Sequence, residues 1–260
     1  MRHVSRATLG LFVVLGCCGV ASAADLPVKA PPPAPVYYNW TGFYLGVNLG
    51  GSWGHQCAEV FDGGFPETSG CVHPNGVIGG GQLGYNWQFA PWFGWGNGTV
   101  LGLEADFQGS NERTDEAFGF LGFTSGGVAF PAVHGTFTDR IEWFGTVRGR
   151  AGIAYDRFLP YITGGWAYGN RTFDGTITIP AATASFSNSN SLSGWTVGAG
   201  FEWAFWQNWT AKFEYLHIDF GNNGSNLNGV VFTGPAGNTV SFTTGHFTDN
   251  VLRAGVNYRF

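Results

Sequence analysis

The chain has 260 residues, of which only 11% are charged, 17% are aromatic and 43 are glycine, and its formal net charge is −5. Soluble domains carry about 25% charged residues, so the composition argues against an ordinary soluble domain. A net acidic chain also argues against a nucleic-acid partner. The length suits one domain preceded by a short leader.

Residues 1–23 are predicted to be a secretory signal peptide. Arg2 and Arg6 supply its positive start, a short apolar run extends from Leu9 to Val20, and Ala-Ser-Ala at 21–23 matches an A-x-A cleavage site. The apolar run is too short to cross a bilayer as a helix, which needs roughly 20 residues. A lipoprotein signal ending at Cys17 is the competing interpretation, but the residues before Cys17 form a poor lipobox.

Residues 24–39 form a proline-rich leader, with the sequence PPPAP at its centre. Prolines favour the polyproline II conformation and cannot join the interior of a sheet. The sequence therefore predicts an extended periplasmic spacer, and a specific contact with the cell wall is the alternative.

Apolar and polar residues alternate with period 2 through much of residues 40–260, which is the primary signal of β-strands. In the first strand Phe43, Leu45 and Val47 share one face, whereas Tyr44 and Asn48 share the other. The eight predicted strands cover 40–53, 77–89, 99–107, 141–154, 159–170, 193–205, 209–220 and 251–260. Phe144, Leu216 and Ile218 fall on the polar face, and we expect them to mark misplaced strand boundaries.

The connections between these strands alternate between short and long. The short ones are 90–98, 155–158 and 206–208, and the long ones are 55–76, 109–140, 171–192 and 221–247. Outer-membrane barrels have short periplasmic turns and longer extracellular loops, and a closed barrel leaves no strand edge exposed to lipid. The sequence predicts an all-β fold, an eight-stranded antiparallel transmembrane up-and-down barrel with four long extracellular loops. A soluble β-sandwich would not need Trp and Phe facing outward on nearly every strand.

Aromatic residues cluster around the three short connections. They are Trp87, Phe89, Trp92, Phe93, Trp95, Tyr155, Phe158, Trp203, Phe205, Trp206 and Trp209. Such residues form girdles at the headgroup level of membrane barrels. We interpret them as the periplasmic girdle, and an aromatic-lined ligand site is the competing interpretation.

Ten charged residues fall on the inward faces of the predicted strands. Five are acidic and five are basic: Glu104, Asp106, Glu142, Glu202 and Glu214, and Arg148, Arg150, Lys212, Arg253 and Arg259. The interior of an eight-stranded barrel is just wide enough for side chains to fill it, and isolated buried charges are costly. The balance predicts a salt-bridged interior that plugs the lumen, and a narrow ion pathway is the alternative.

Cys57 and Cys71 lie in the first long connection and are predicted to form a disulfide in the oxidising periplasm. Closing a loop of this size stabilises the protein by roughly 3 kcal/mol. A metal site would need more ligands than this pair. His55 and His73 flank the cysteines, but we expect a loop closed by the disulfide and no metal.

Four histidines fall in or beside the long connections: His55, His73, His134 and His246. Exposed histidines could bind heme iron, although histidines also collect wherever polar residues are allowed. The carboxylates in the strands could also be catalytic groups. No Ser or Cys nucleophile with a nearby His is visible in the strand pattern, so we expect neither an enzyme nor a resident cofactor.

The last ten residues, VLRAGVNYRF, alternate between apolar residues such as Leu252 and Val256 and inward Arg253 and Arg259. The chain stops on an aromatic residue. This ending resembles the C-terminal assembly signal of bacterial outer-membrane barrels, carried here by Tyr258 and Phe260. The resemblance implies the barrel-assembly machinery as a partner.

Longer motifs resemble the small outer-membrane protein family of alphaproteobacteria. They are DLPVKAPPPAPVYYNWTGFYLGVNLGGSWG at 25–54, WFGTVRGRAGIAYDRFLPYITGGWAYG at 143–169, AKFEYLHIDFG at 211–221 and the closing VLRAGVNYRF. The resemblance covers the mature chain except its loops. It implies a barrel in the Gram-negative outer membrane, in contact with its lipid and lipopolysaccharide. Members of the family include immunogenic, structural, porin-like and hemin-binding proteins.

These observations together favour a structural surface barrel with a plugged lumen that contributes to outer-membrane integrity. The alternative function is binding or transport, either of heme through the extracellular loops or of small solutes through the lumen. The loops match no motif from which a functional residue could be transferred.

Overall fold

A computed structural model describes residues 37–62, 65–92, 94–120, 123–125, 128–130, 133–179, 182–221, 231–233 and 239–260. The predicted signal peptide and residues 24–36 of the predicted leader lie outside the described residues. Among the described residues no helix is long and apolar enough to cross a membrane.

The described residues form twelve strands. They are β1 (Gly42–Asp62), β2 (Phe65–Val72), β3 (Asn75–Phe89), β4 (Gly98–Phe120), β5 (Phe123–Ser125), β6 (Val128–Phe130), β7 (Val133–Ala154), β8 (Phe158–Ile179), β9 (Ala182–Ala204), β10 (Trp209–Gly221), β11 (Val231–Thr233) and β12 (Thr239–Arg259).

Eight long strands pair antiparallel with their neighbours in the order β1, β3, β4, β7, β8, β9, β10 and β12. The last of them, β12, returns to pair with β1, where Leu45 lies opposite Tyr258 and Leu49 lies opposite Ala254. This pairing closes the sheet. The prediction of an eight-stranded antiparallel barrel is therefore confirmed.

The outward wall of the barrel is apolar between two rows of aromatic side chains. The periplasmic row comprises the exposed residues Trp87, Phe89, Trp92, Trp95, Tyr155, Phe158, Trp203, Phe205, Trp206 and Trp209. The outer row comprises Trp53, Phe107, Trp166, Trp195 and Tyr215, also exposed. Every member of the predicted periplasmic girdle except Phe93, which is outside the described residues, is thus exposed, either at a strand end or in the adjoining turn.

The spacing of the rows fits a bilayer. Phe43 of β1 lies opposite Tyr85, two residues from Trp87 of the periplasmic row. Ten residues separate Phe43 from Trp53 of the outer row, which corresponds to about 33 Å along the strand. With a strand tilt of about 40°, that distance projects to about 25 Å along the barrel axis, the height of the apolar band of an outer-membrane barrel. Between the rows lie side chains such as Val47 and Ile162, whose exposed fractions are 67% and 66%.

The strands extend further at the outer end than the sequence predicts. Three of the predicted long connections, 55–76, 109–140 and 171–192, are largely strand, because β1, β4, β7, β8 and β9 continue through them. The described outer part of β9 is rich in Ser and Asn. With water on both faces, such segments need no apolar face, so the period-2 signal is absent although the hydrogen-bonded ladder continues.

Phe144, Leu216 and Ile218 face the barrel interior. The expectation that they mark misplaced strand boundaries is wrong. All three are buried, with Ile78, Ile141, Ala167, Leu192, Phe220, Phe247 and Val251, in one cluster that we call the upper apolar layer. The inward face of the barrel therefore changes from polar to apolar toward its outer end.

A second buried cluster, the lower apolar layer, fills the periplasmic end. It comprises Trp40, Val100, Ala154, Leu159 and Ala204. The sequence predicts Trp40 as the first residue of the first strand, but β1 begins at Gly42 and Trp40 precedes it. Its backbone N–H donates to Gln88 Oε1 at 2.7 Å, and its indole N–H donates to the carbonyl of Asp156 at 2.9 Å.

Inward-facing glycines leave room for large side chains between these layers. A Cβ added at Gly84 would lie 2.4 Å from the Tyr44 hydroxyl oxygen, and one added at Gly200 would lie 2.8 Å from that of Tyr161. Because real Cβ atoms do not approach so closely, glycine at these positions lets both tyrosines cross the interior. This explains part of the high glycine content.

Candidate functional site

Eight of the ten charges predicted for the lumen lie together between the two apolar layers. They are Glu104 and Asp106 of β4, Arg148 and Arg150 of β7, Glu202 of β9, Lys212 and Glu214 of β10 and Arg253 of β12. We call this set the ionic layer. Each member is at most 4% exposed, and the four acids balance the four bases.

Glu104 is the most connected acid of the ionic layer. Its two oxygens lie 2.6 and 2.7 Å from Lys212 Nζ. It also pairs with Arg148, while Arg150 and Arg253 approach its oxygens to 3.6 and 3.7 Å. The Tyr44 hydroxyl donates to its Oε2 at 2.7 Å. Glu104 thus contacts all four cations of the layer.

Asp106 and Glu214 share two guanidinium groups. Arg253 Nη2 lies 2.9 Å from Asp106 Oδ2 and 2.6 Å from Glu214 Oε2. Arg148 lies 3.0 Å from each of the same two acids. Tyr161 adds a hydroxyl donor to Glu214 Oε1 at 2.8 Å. Each acid is held by charge-assisted hydrogen bonds, which are stronger than neutral ones.

Arg150 and Glu202 form the other part of the layer. Arg150 Nη2 lies 2.7 Å from Glu202 Oε2, and the guanidinium stacks 4.3 Å from the ring centroid of Tyr161. Glu202 also accepts a hydrogen bond from Thr210, and one from Asn257 Nδ2 at 3.0 Å. Its carboxylate is therefore bound by both charged and neutral donors.

Several of these pairs join strands that are not neighbours in the sheet. Glu104 and Lys212 lie on β4 and β10, which are separated by β7, β8 and β9 in the strand order. Asp106 and Arg253 lie on β4 and β12, which are separated by β1 and β3. The side chains therefore meet across the barrel interior.

Two of the predicted lumen charges lie elsewhere. A register shift between Ile141 and Trp143 leaves Glu142 out of both ladders of β7, so its side chain is exposed, 3.4 Å from Arg140. Such a β-bulge reverses the inside-outside parity of the strand beyond it. The sequence analysis assigned every second residue of this strand to the inward face, and it therefore placed Glu142 on the wrong face.

Arg259 is buried, but at the periplasmic end and outside the ionic layer. Its Nη2 donates to the carbonyls of Asn39 and Thr41 at 2.8 and 3.1 Å. The guanidinium also lies 4.9 Å from the ring centroid of Tyr38 and 5.4 Å from that of Trp40. Arg259 thus fixes the entry of the chain into the barrel.

A further group of buried polar residues, which the sequence analysis missed, lies at the outer end. It comprises Ser52, Gln56, Glu112, Asp139, Arg171 and Asp249. Arg171 Nε lies 2.6 Å from Asp139 Oδ1, and Ser52 Oγ donates to Glu112 Oε2 at 2.7 Å. Alternation of apolar and polar residues could not reveal this group, because all its members but Ser52 lie outside the predicted strands.

Protonation of this outer group makes stability depend on pH. Glu112 and Asp249 lie beyond the outer aromatic row. Burial, together with the charge of Asp249, raises the pKa of Glu112 to about 9, and burial raises the pKa of Asp249 to about 7. The folded protein therefore keeps protons that the unfolded chain loses, so the free energy of unfolding falls as the pH rises from about 5 to 9.

The variant Glu112→Gln is expected to flatten this dependence, because the amide cannot lose a proton. Urea unfolding of the folded protein, followed by tryptophan fluorescence at several pH values, measures the effect. Glu116→Gln, an exposed change on the same strand, is the matched control and should leave the profile unchanged. Parallel profiles for wild type and Glu112→Gln between pH 5 and 9 would contradict this expectation.

The predicted disulfide is present. Cys57 and Cys71 lie opposite each other on β1 and β2 and are bonded through their sulfurs. Because both cysteines are used in this bond, neither offers a thiolate to a metal.

The four candidate heme ligands do not converge. His55 and His73 are in contact, with their Nδ1 atoms 3.2 Å apart, and both are exposed. His134 is exposed on β7, three places around the barrel from β1, whereas His246 Nε2 lies 3.4 Å from Asp219 Oδ1. The contact between His55 and His73 was not predicted, since the sequence analysis did not anticipate the β1–β2 hairpin.

Comparison with known proteins agrees with this architecture. The sequence model of a protein family, the outer membrane protein beta-barrel domain, matches residues 10–260. The chain is 37% identical over 250 residues to the 31 kDa outer-membrane immunogenic protein of Brucella melitensis biotype 1, covering 92% of this chain and 93% of that protein. It is 29% identical over 238 residues to the 22 kDa outer membrane protein of Rhizobium leguminosarum bv. viciae, covering 92% and 83%.

Among solved structures, Neisserial surface protein A is similar, with a TM-score of 0.37 and 12% identity over 85% of this chain and 98% of that chain. The family match rests on the domain model and on the Brucella relative. The chain belongs to the outer membrane protein beta-barrel domain family, and it is an outer-membrane protein.

Proposed function

We propose that the protein is a structural, non-catalytic barrel of the outer membrane whose interior is closed to solutes. The observation that carries this proposal is the set of ion pairs across the interior, above all Glu104 to Lys212. Long side chains from opposite sides of the barrel meet at hydrogen-bonding distance, and an eight-stranded barrel has little further interior to fill.

The two apolar layers support a closed interior. The upper one includes Phe144, Leu216 and Val251, and the lower one includes Trp40 and Leu159. An ion following the barrel axis would have to leave water at both layers, which costs several kcal/mol or more for an unpaired charge. The balanced ionic layer between them offers such an ion no excess of opposite charge.

The bonding of the inward acids supports a non-catalytic role. Both oxygens of Glu104 and of Glu214 are bound by cations or hydroxyl donors. These carboxylates therefore stabilise the interior and have no free oxygen to accept a proton from a substrate. The Brucella and Rhizobium relatives are named as outer-membrane proteins, and those names state no reaction. The apolar wall between the aromatic rows supports lipid and lipopolysaccharide as the surroundings of the barrel.

A deletion strain tests this proposal against the alternative of heme binding. Loss of the gene is expected to increase sensitivity to vancomycin and to detergent, because the outer membrane loses a rigid structural component. The wild-type gene should restore the barrier. So should a variant with alanine at His55, His73, His134 and His246.

A different pattern would support heme binding. In that case the deletion would leave the barrier intact and would abolish growth on hemin as the iron source, and the histidine variant would fail to restore that growth. This result would contradict the structural role.

A further inference from the structure

We propose that His55 and His73 form a binding site for a divalent transition-metal cation, with zinc as the best fit, at the outer rim of the barrel. The two rings are in contact, with centroids 4.8 Å apart, and their Nδ1 atoms face each other at 3.2 Å. This site is independent of the ionic layer and of whether the interior conducts.

The distance between the two nitrogens suits tetrahedral zinc. Zinc binds imidazole nitrogen at about 2.0–2.1 Å, and two such bonds at the tetrahedral angle place the nitrogens about 3.3 Å apart. The observed 3.2 Å is close to this value. Two cis ligands of a square-planar ion with bonds of about 2.0 Å would be about 2.8 Å apart, so the observed spacing matches tetrahedral geometry more closely.

The surrounding backbone holds the two rings in place. Gln56 lies opposite Val72 in the β1–β2 ladder, and the next pair, Cys57 and Cys71, is joined by the disulfide. On the other side of the histidines, the Gly54 N–H donates to the carbonyl of Pro74 at 2.8 Å. Because His55 and His73 lie between these restraints, binding a cation would order little additional chain.

The environment leaves the pair accessible from outside the cell. His55 is two residues beyond Trp53 on the same outward face of β1, so it lies about 7 Å along the strand past the outer aromatic row. Both histidines are exposed, so water can occupy the remaining ligand positions of a bound cation.

Cys57 Sγ lies 3.5 Å from His55 Nε2, which is not the ring nitrogen that faces His73. The sulfur belongs to the disulfide, so it is not a thiolate ligand. It packs against the side of the ring that the cation would not use. The site therefore consists of two imidazole nitrogens and water, with the disulfide as its support.

A simple hydrogen bond between two neutral imidazoles would give the same distance but no response to metal. Zinc chloride is therefore titrated into the folded, oxidised barrel in detergent at pH 7.5, with calorimetry and competition against a chromophoric chelator as readouts. We expect saturable binding of one zinc per barrel. His55→Ala and His73→Ala should each weaken that binding by at least about tenfold, because each removes one of two protein ligands.

His134→Ala removes an exposed histidine on another strand and is the matched control, for which zinc affinity should be unchanged. Zinc should also raise the urea midpoint of wild type and not that of His55→Ala, because a ligand bound only to the folded state stabilises it. Heat-modifiable gel mobility verifies that every variant is folded. The proposal is overturned if wild type binds no zinc, or if the His55→Ala/His73→Ala double variant binds it as wild type does.

Discussion

Glu104→Ala is expected to lower the free energy of unfolding by about 3–5 kcal/mol, the usual cost of removing one partner from a buried ion pair. The change leaves Lys212, Arg148, Arg150 and Arg253 facing three acids in place of four, inside a barrel where all four are buried. It also removes the acceptor of the Tyr44 hydroxyl.

A surface ion pair on the same strand is the matched comparison. Arg113 and Asp115 lie 2.5 Å apart, but their side chains are 61% and 54% exposed. Asp115→Ala should therefore have little effect on the free energy of unfolding, because water screens an exposed ion pair. Glu104→Gln separates charge from volume, because it keeps the shape of the side chain and still leaves the cations unbalanced.

Equilibrium unfolding in urea, with the protein inserted in lipid vesicles and tryptophan fluorescence as the signal, measures all three variants. The expected order of destabilisation is Glu104→Ala, then Glu104→Gln, then Asp115→Ala. If Glu104→Ala were no more destabilising than Asp115→Ala, the ionic layer would not be the structural element that we describe.

We also expect the wild-type barrel to conduct no steady ionic current across a bilayer. Three obstacles lie in series along its axis: the lower apolar layer, the ionic layer and the upper apolar layer. The ionic layer has no net charge, so it does not favour an ion of either sign. A porin-like pathway would instead require a continuous polar passage between opposite strands, where Glu104 and Lys212 are in contact.

Much of the barrel could be predicted from the sequence because a transmembrane strand has an apolar outward face. Period 2 locates the membrane portions of all eight barrel strands, and it assigns residues such as Arg253 and Glu214 correctly to the interior. These are local properties of a single strand. They require no knowledge of which strands face each other across the barrel.

The rest depends on contacts that alternation does not encode. The bulge at Glu142 changes parity without a distinctive residue type, and Phe144 faces inward although it is apolar. The cationic partners of Glu104 come from β7, β10 and β12, and only the closed barrel sets their positions. The contact between His55 and His73 likewise follows from the β1–β2 hairpin, whose outer residues lack an apolar face.

Single-channel recording of the folded protein in planar bilayers tests the closed interior most directly. Insertion is verified on the same sample by heat-modifiable gel mobility, and an open porin in the same lipid serves as the positive control. We predict no stable conductance steps for the wild-type barrel over a range of salt concentrations. A reproducible, long-lived open conductance would contradict the account of an interior closed by the ionic layer and the two apolar layers.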